Sequence, residues 1–230
     1  LATASSERGR AAGARARLLR EVYERLLGRF GPQGWWPAET ALEVAVGAVL
    51  TQNAAWSNVA RAIANLKEAG LLDGPEALSR LLSEPTDRLE FLIRPSGYFR
   101  LKAARLRNLL EFVQGQGGSL EAMASEGSQA LRERLMRVRG VGPETADSIL
   151  LYALGKPVFV VDAYTRRALL RHGFVSEEAG YDEVQALFMD NLPAETGLFG
   201  EYHALFVRLA KEHCRPRPRC LGCPLEGLGA

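Results

Sequence analysis

Glycine and proline cut this 230-residue chain into short amphipathic segments of helical length, and no run of alternating β-branched residues competes with them. That punctuation predicts an all-α fold. Helices are expected over residues 14–29, 38–50, 57–69, 75–82, 86–93, 99–115, 128–137, 143–154, 163–172, 181–191 and 197–213, with a weaker one near Leu120. Segment 41–50 is apolar nearly all round, as a central buried helix requires. An apolar content of 47% supports a sizeable core, and no apolar stretch approaches the length of a membrane span. Residues 1–13 are small, polar and arginine-rich without an apolar centre. They are expected to form a flexible basic arm rather than a secretory signal, which makes a cytoplasmic location the expectation.

The net charge of +2 hides an uneven distribution. Residues 94–107 carry five basic and no acidic side chains, and residues 208–220 carry five basic against Glu212 alone. Residues 174–201 carry seven acidic and no basic ones. A chain polarised in this way can turn a basic face to a polyanion. The turn Gly140-Val141-Gly142-Pro143 follows an amphipathic segment and opens a helix. Glycines suit a backbone with positive φ or a close approach, proline suits a first helical position, and amides at such a turn can hold a phosphate without reading sequence. Behind that helix an apolar run, Val158-Phe159-Val160-Val161, leads to a lone Asp162. Aspartate there suits a helix N-cap, and equally a fixed carboxylate beside developing positive charge.

These segments, with Trp35-Trp36-Pro37, Gly47 to Asn53, Arg94-Pro95-Ser96-Gly97-Tyr98-Phe99 and a C-terminal cysteine cluster, occur in the order found in the endonuclease III-like helix-hairpin-helix DNA glycosylase superfamily. The chain resembles that family over about residues 20–225, and within it the branch of bacterial 3-methyladenine DNA glycosylases. The resemblance implies two helical lobes: residues 14–37 with 155–230, carrying a metal-cluster loop, and a six-helix barrel over 38–154, with the hairpin at about 128–154 and the active site between the lobes. It implies a monomer acting on double-stranded DNA that contains a damaged base, with no membrane partner.

It also implies roles for particular residues. Asp162 would be the catalytic carboxylate. Glu144 stands where strand-cleaving relatives carry a Schiff-base lysine, so water would be the nucleophile and lyase activity absent or weak. Trp35 and Trp36 would stack the extruded base, favouring a cationic alkylated purine. Gln52 would fill the gap left in the duplex, and Gly140, Gly142, Thr145, Arg94, Lys102 and Arg139 would contact DNA. Cys214, Cys220 and Cys223 have metal-ligand spacing. A [4Fe–4S] cluster with an unassigned fourth ligand is expected, with zinc as the rival, because Gly229 stands where the family's last cysteine falls. An endonuclease III-like glycosylase for oxidised pyrimidines or mismatches, and a non-catalytic damage-binding protein, are the competing functions.

Overall fold

The computed structural model describes residues 2–228, and side chains from Gly13 onward. Helix makes up 62% of the chain, and no strand occurs among the described residues. Two compact units form: Leu1–Trp35 with Pro157–Ala230, and Trp36–Lys156.

The continuous unit contains α2 (Ala41–Leu50), α3 (Trp56–Glu68), α4 (Ala77–Ser83), α5 (Thr86–Ile93), α6 (Phe99–Gly115), α7 (Ser128–Met136) and α8 (Pro143–Ser148). Every residue of α2 from Glu43 to Leu50 is buried, against α3, α6 and α8. Its start is fixed by Thr40, whose hydroxyl accepts from Glu43 N at 3.1 Å, while the Glu43 carboxylate accepts from Glu39 N at 3.0 Å. Buried Glu43 is neutralised by Lys67 at 3.0 Å. The segment expected as one helix over 143–154 instead passes from α8 into a π-helical turn, Ile149–Ala153, which packs on α2. Sequence periodicity cannot show one widened turn, and such turns recur at functional sites.

The discontinuous unit contains α1 (Ala2–Phe30), α9 (Ala163–Arg171), α10 (Tyr181–Met189) and α11 (Thr196–Glu212). Helix α1 runs through the segment expected to be a flexible arm, because its alanines and arginines are strong helix formers. Leu1 lies outside the described residues. Packing of α1 on α11 is pinned by the Tyr202 hydroxyl, which donates to Leu19 O at 2.8 Å within an aromatic core. There Phe159 stacks on Phe188 with centroids 3.7 Å apart, and Tyr202 stacks on Phe206.

The apolar run 158–161 is buried and lies outside helix and strand, with no sheet to pair its backbone. Side chains of α10 supply partners in place of a neighbouring strand. Gln185 Nε2 donates to Phe159 O at 2.6 Å, and Val161 N donates to the Tyr181 hydroxyl at 3.2 Å. These bonds fix the approach to Asp162.

Candidate active site and nucleic-acid interface

Asp162 is the N-cap of α9, with its Oδ1 accepting from Thr165 N at 2.7 Å. Its other oxygen lies 3.6 Å from Nε2 of the buried His203 on α11. Burial pushes the Asp162 carboxyl upward, but the nearby His203 imidazole and the Thr165 bonds outweigh it, so the pKa lies below the ordinary value. The group is therefore a carboxylate at neutral pH. It is well suited to stabilise positive charge and poorly suited to donate a proton.

The hairpin joins α7 to α8 through residues 137–142. Gly140 has φ +95°, and a Cβ there would fall 2.3 Å from Arg105 Cγ, so glycine is required twice over. Gly142 needs no special backbone: it is extended, at φ −98° and ψ 179°, and nothing lies within 4 Å of where its Cβ would be. Its freedom is open space beside the start of α8, where Pro143 occupies the first turn. A buried pair holds the two helices together, Arg132 Nε and Nη2 donating to the Asp147 oxygens at 2.7 and 3.2 Å. Glu144 is exposed in the first turn of α8.

Of the expected DNA contacts, Arg94 and Arg139 are exposed. Lys102 is corrected. It is 1% exposed, and its ammonium donates to Leu50 O at 2.8 Å and Ser96 O at 2.6 Å, out of reach of a phosphate. Burial and the charge of Arg105 lower its pKa to about 8. Thr145 is likewise buried, its hydroxyl accepting from Gln52 Nε2 at 2.9 Å. Gln52 also donates to Gly140 O at 3.0 Å and accepts from Arg105 at 2.5 Å. To enter a duplex it must leave all three bonds. Tyr98, which sequence reasoning passes over as a mere marker of resemblance, is 71% exposed with φ +45°. A bulky residue held at positive φ with its ring in solvent is suited to wedge between bases. Its signal in the sequence is Gly97, which permits the preceding turn.

Trp36 and Trp35 fall in different units. The Trp36 ring meets Trp56 edge-on and Tyr152 obliquely, each with centroids 5.3 Å apart. Gly47 lets α2 pass close to this ring, since a Cβ there would lie 3.1 Å from it. Tyr152 comes from the π-helical turn, and Trp56 begins α3. Sequence spacing gives no hint that either would meet Trp36.

The three cysteines are not disulfide-bonded: Cys214 is buried, Cys220 exposed and Cys223 half-buried. Burial, and then the neighbouring Cys214 and Cys220, push the Cys223 thiol upward. Arg171 Nη1 lies 3.4 Å from Cys214 Sγ and 2.5 Å from Arg215 O, and Arg167 Nε donates to Cys214 O at 2.7 Å. His213 Nδ1 pairs with Arg219 O at 3.1 Å, and His203 lies beside Asp162. Among the described residues no group of three or more His, Cys, Asp or Glu side chains is placed to hold a metal ion, and Gly229 lies outside them. The expected four-ligand cluster therefore does not fit the residues as placed. Arginine–carbonyl bonds fix the loop.

A helix-hairpin-helix in an all-helical chain, with an ionised aspartate capping a helix behind an apolar run, defines the class of base-excision DNA glycosylases. The chain belongs to the HhH-GPD superfamily of base excision DNA repair proteins, whose family model matches residues 46–194. It is 46% identical over 211 residues to a Methanocaldococcus jannaschii protein whose name assigns it to the DNA repair glycosylases, covering 91% of this chain and 94% of that one. The crystal structure of H. pylori 3-methyladenine DNA glycosylase bound to 1,N6-ethenoadenine matches with a TM-score of 0.71 at 30% identity, over 87% of this chain and 97% of that one. A non-covalent endonuclease III–DNA complex matches with a TM-score of 0.77 at 23% identity, over 93% and 94% of the two chains, and shares the fold. No helix among the described residues is long and apolar enough to cross a membrane.

Proposed function

We propose that this DNA glycosylase is monofunctional, excising alkylated purines of the 3-methyladenine type by hydrolysis and leaving an abasic site. The observation that carries the hydrolytic reading is the state of the lysines. The chain has four. Lys102 and Lys156 are buried with their ammonium groups bonded to main-chain carbonyls, and Lys67 is ion-paired to Glu39 and Glu43. Lys211 lies in the last turn of α11, and Glu144 takes the place at the hairpin where an imine-forming lysine would stand. With no amine there to attack C1′, the sugar is left to water.

The bond between C1′ and the purine nitrogen breaks with its electron pair going to the base, and the sugar passes through an oxocarbenium-like state. The Asp162 carboxylate stabilises that charge and orients the water whose oxygen bonds to C1′. The water's proton then passes to solvent. An alkylated purine carries its positive charge before cleavage and departs neutral, so it needs no acid, and an aspartate held ionised supplies none. The aromatic cluster around Trp36 suits the same substrate, since indole and phenol faces attract a cation. Tyr98 and the hairpin turn are the parts assigned to wedge the duplex and hold its backbone.

A panel of duplexes with single damaged bases tests the substrate class. Excision of methylated purines is expected. Trp36→Ala should lower their single-turnover rate by about tenfold, as loss of a stacking partner worth roughly 1–3 kcal/mol implies. Release of oxidised pyrimidines alone would replace this substrate with the endonuclease III type, and unchanged rates for Trp36→Ala would remove the stacking role.

A further inference from the structure

Helix α6 presents three donors at successive i, i+3 positions, and each holds a different loop. Lys102 joins the C-terminal carbonyl of α2, at Leu50, to Ser96 in the turn that leads to Tyr98. Arg105 Nη1 donates to Gln52 Oε1 at 2.5 Å, and Gln52 relays the constraint to Gly140 O and Thr145 Oγ1 at 3.0 and 2.9 Å. Asn108 Nδ2 donates to Arg139 O at 2.9 Å, at the hairpin turn. Helix positions three apart are neighbours, so the three side chains make one continuous ridge. Arg105 is its centre, because its aliphatic stem also fills the space above Gly140, where a Cβ would meet Cγ at 2.3 Å.

All of these residues lie in the Trp36–Lys156 unit. The loops they hold carry Asn53 and Tyr98, the two non-glycine residues with positive φ among those described, and the hairpin turn. We propose that Lys102, Arg105 and Asn108 are positioning residues that keep the three DNA-facing segments in one register, so that backbone gripping by the hairpin and entry of the neighbouring loops into the duplex occur together. The inference rests on the glycosylase reading above. Its consequence is that the ridge governs extrusion of the base, whereas cleavage of a base already out of the stack does not depend on it. Arginine is required at the centre because one stem must cover Gly140 while a planar fork reaches Gln52, which a lysine ammonium cannot reproduce.

Single-turnover excision on two DNAs with the same alkylated purine tests this, one fully paired and one with the lesion in an unpaired bulge. Arg105→Ala should slow excision from the paired DNA by about tenfold or more, while the bulged DNA stays within about twofold of the wild type. Asn108→Ala should act in the same direction to a smaller extent, with an unchanged melting temperature. Equal slowing on both DNAs, or no slowing on either, overturns the proposal. Should Arg105→Ala fail to fold, Asn108→Ala and Arg105→Lys are read by the same two-substrate comparison. No excision of any damaged base from either DNA by the wild type would instead overturn the glycosylase reading, and this inference with it.

Discussion

Asp162→Asn is expected to lower single-turnover base excision by at least about 10²–10³-fold, the effect of removing a preorganised group from a developing charge. It should keep the α9 cap and lower the melting temperature only by what the ionised carboxylate contributes. Asparagine caps helices as well as aspartate, and its side-chain oxygen can still accept from Thr165 N, which is 2.7 Å from Oδ1 in the native chain. What is lost is the negative charge. Asp162→Ala removes both, and should cost about 1 kcal/mol of stability in addition. The pair of variants separates the capping and chemical roles that the sequence alone leaves superimposed. The pH dependence follows from the same site. With the folded pKa below the unfolded value, the aspartate contributes stability that is complete above its unfolded pKa and is lost as pH falls through the lowered folded one. Excision should therefore persist into mildly acidic solution, where a carboxylate with a raised pKa would already be protonated.

Asp147→Ala should be the most destabilising single change in the hairpin, at about 3–5 kcal/mol, because it leaves the Arg132 guanidinium without its buried counter-charge. Asp147 is fully buried and the Arg132 side chain only 11% exposed, so water cannot replace the lost partner cheaply. Chemical denaturation checks the magnitude. Replacing both members with apolar residues of similar volume should recover most of the stability, since the desolvation cost disappears together with the attraction. A loss under 1 kcal/mol for Asp147→Ala would mean that the pair does not hold α7 to α8.

Much of this molecule is legible in its amino-acid sequence. Periodicity places the helices, the Gly-Val-Gly-Pro turn announces the hairpin, and the apolar run ahead of Asp162 is buried as its composition suggests. Around the hairpin, what the sequence hides is tertiary packing. Lys102 lies in a stretch of five basic and no acidic residues, and such a stretch reads as a cationic surface. Only tertiary packing carries that ammonium beneath the end of α2, where two main-chain carbonyls receive it. The bonds of Thr145 and Gln52 are hidden in the same way, because they run to one another, to Gly140 and to Arg105, across long intervals of chain. The neighbours of Trp36 come from α3 and from a π-helical turn, which no sequence period predicts. The cysteine spacing suggests a closed metal site, but spacing along a chain says nothing of where a fourth ligand will stand.

We propose that Asp162 and water break the glycosidic bond without an enzyme amine. This is tested most directly with an end-labelled duplex carrying one alkylated purine, incubated with the protein and then split into alkali-treated and untreated portions, with borohydride added to a parallel reaction. Base loss is expected, with strand breakage only after alkali and no covalent protein–DNA adduct. Strand scission without alkali together with a borohydride-trapped adduct would contradict the proposal.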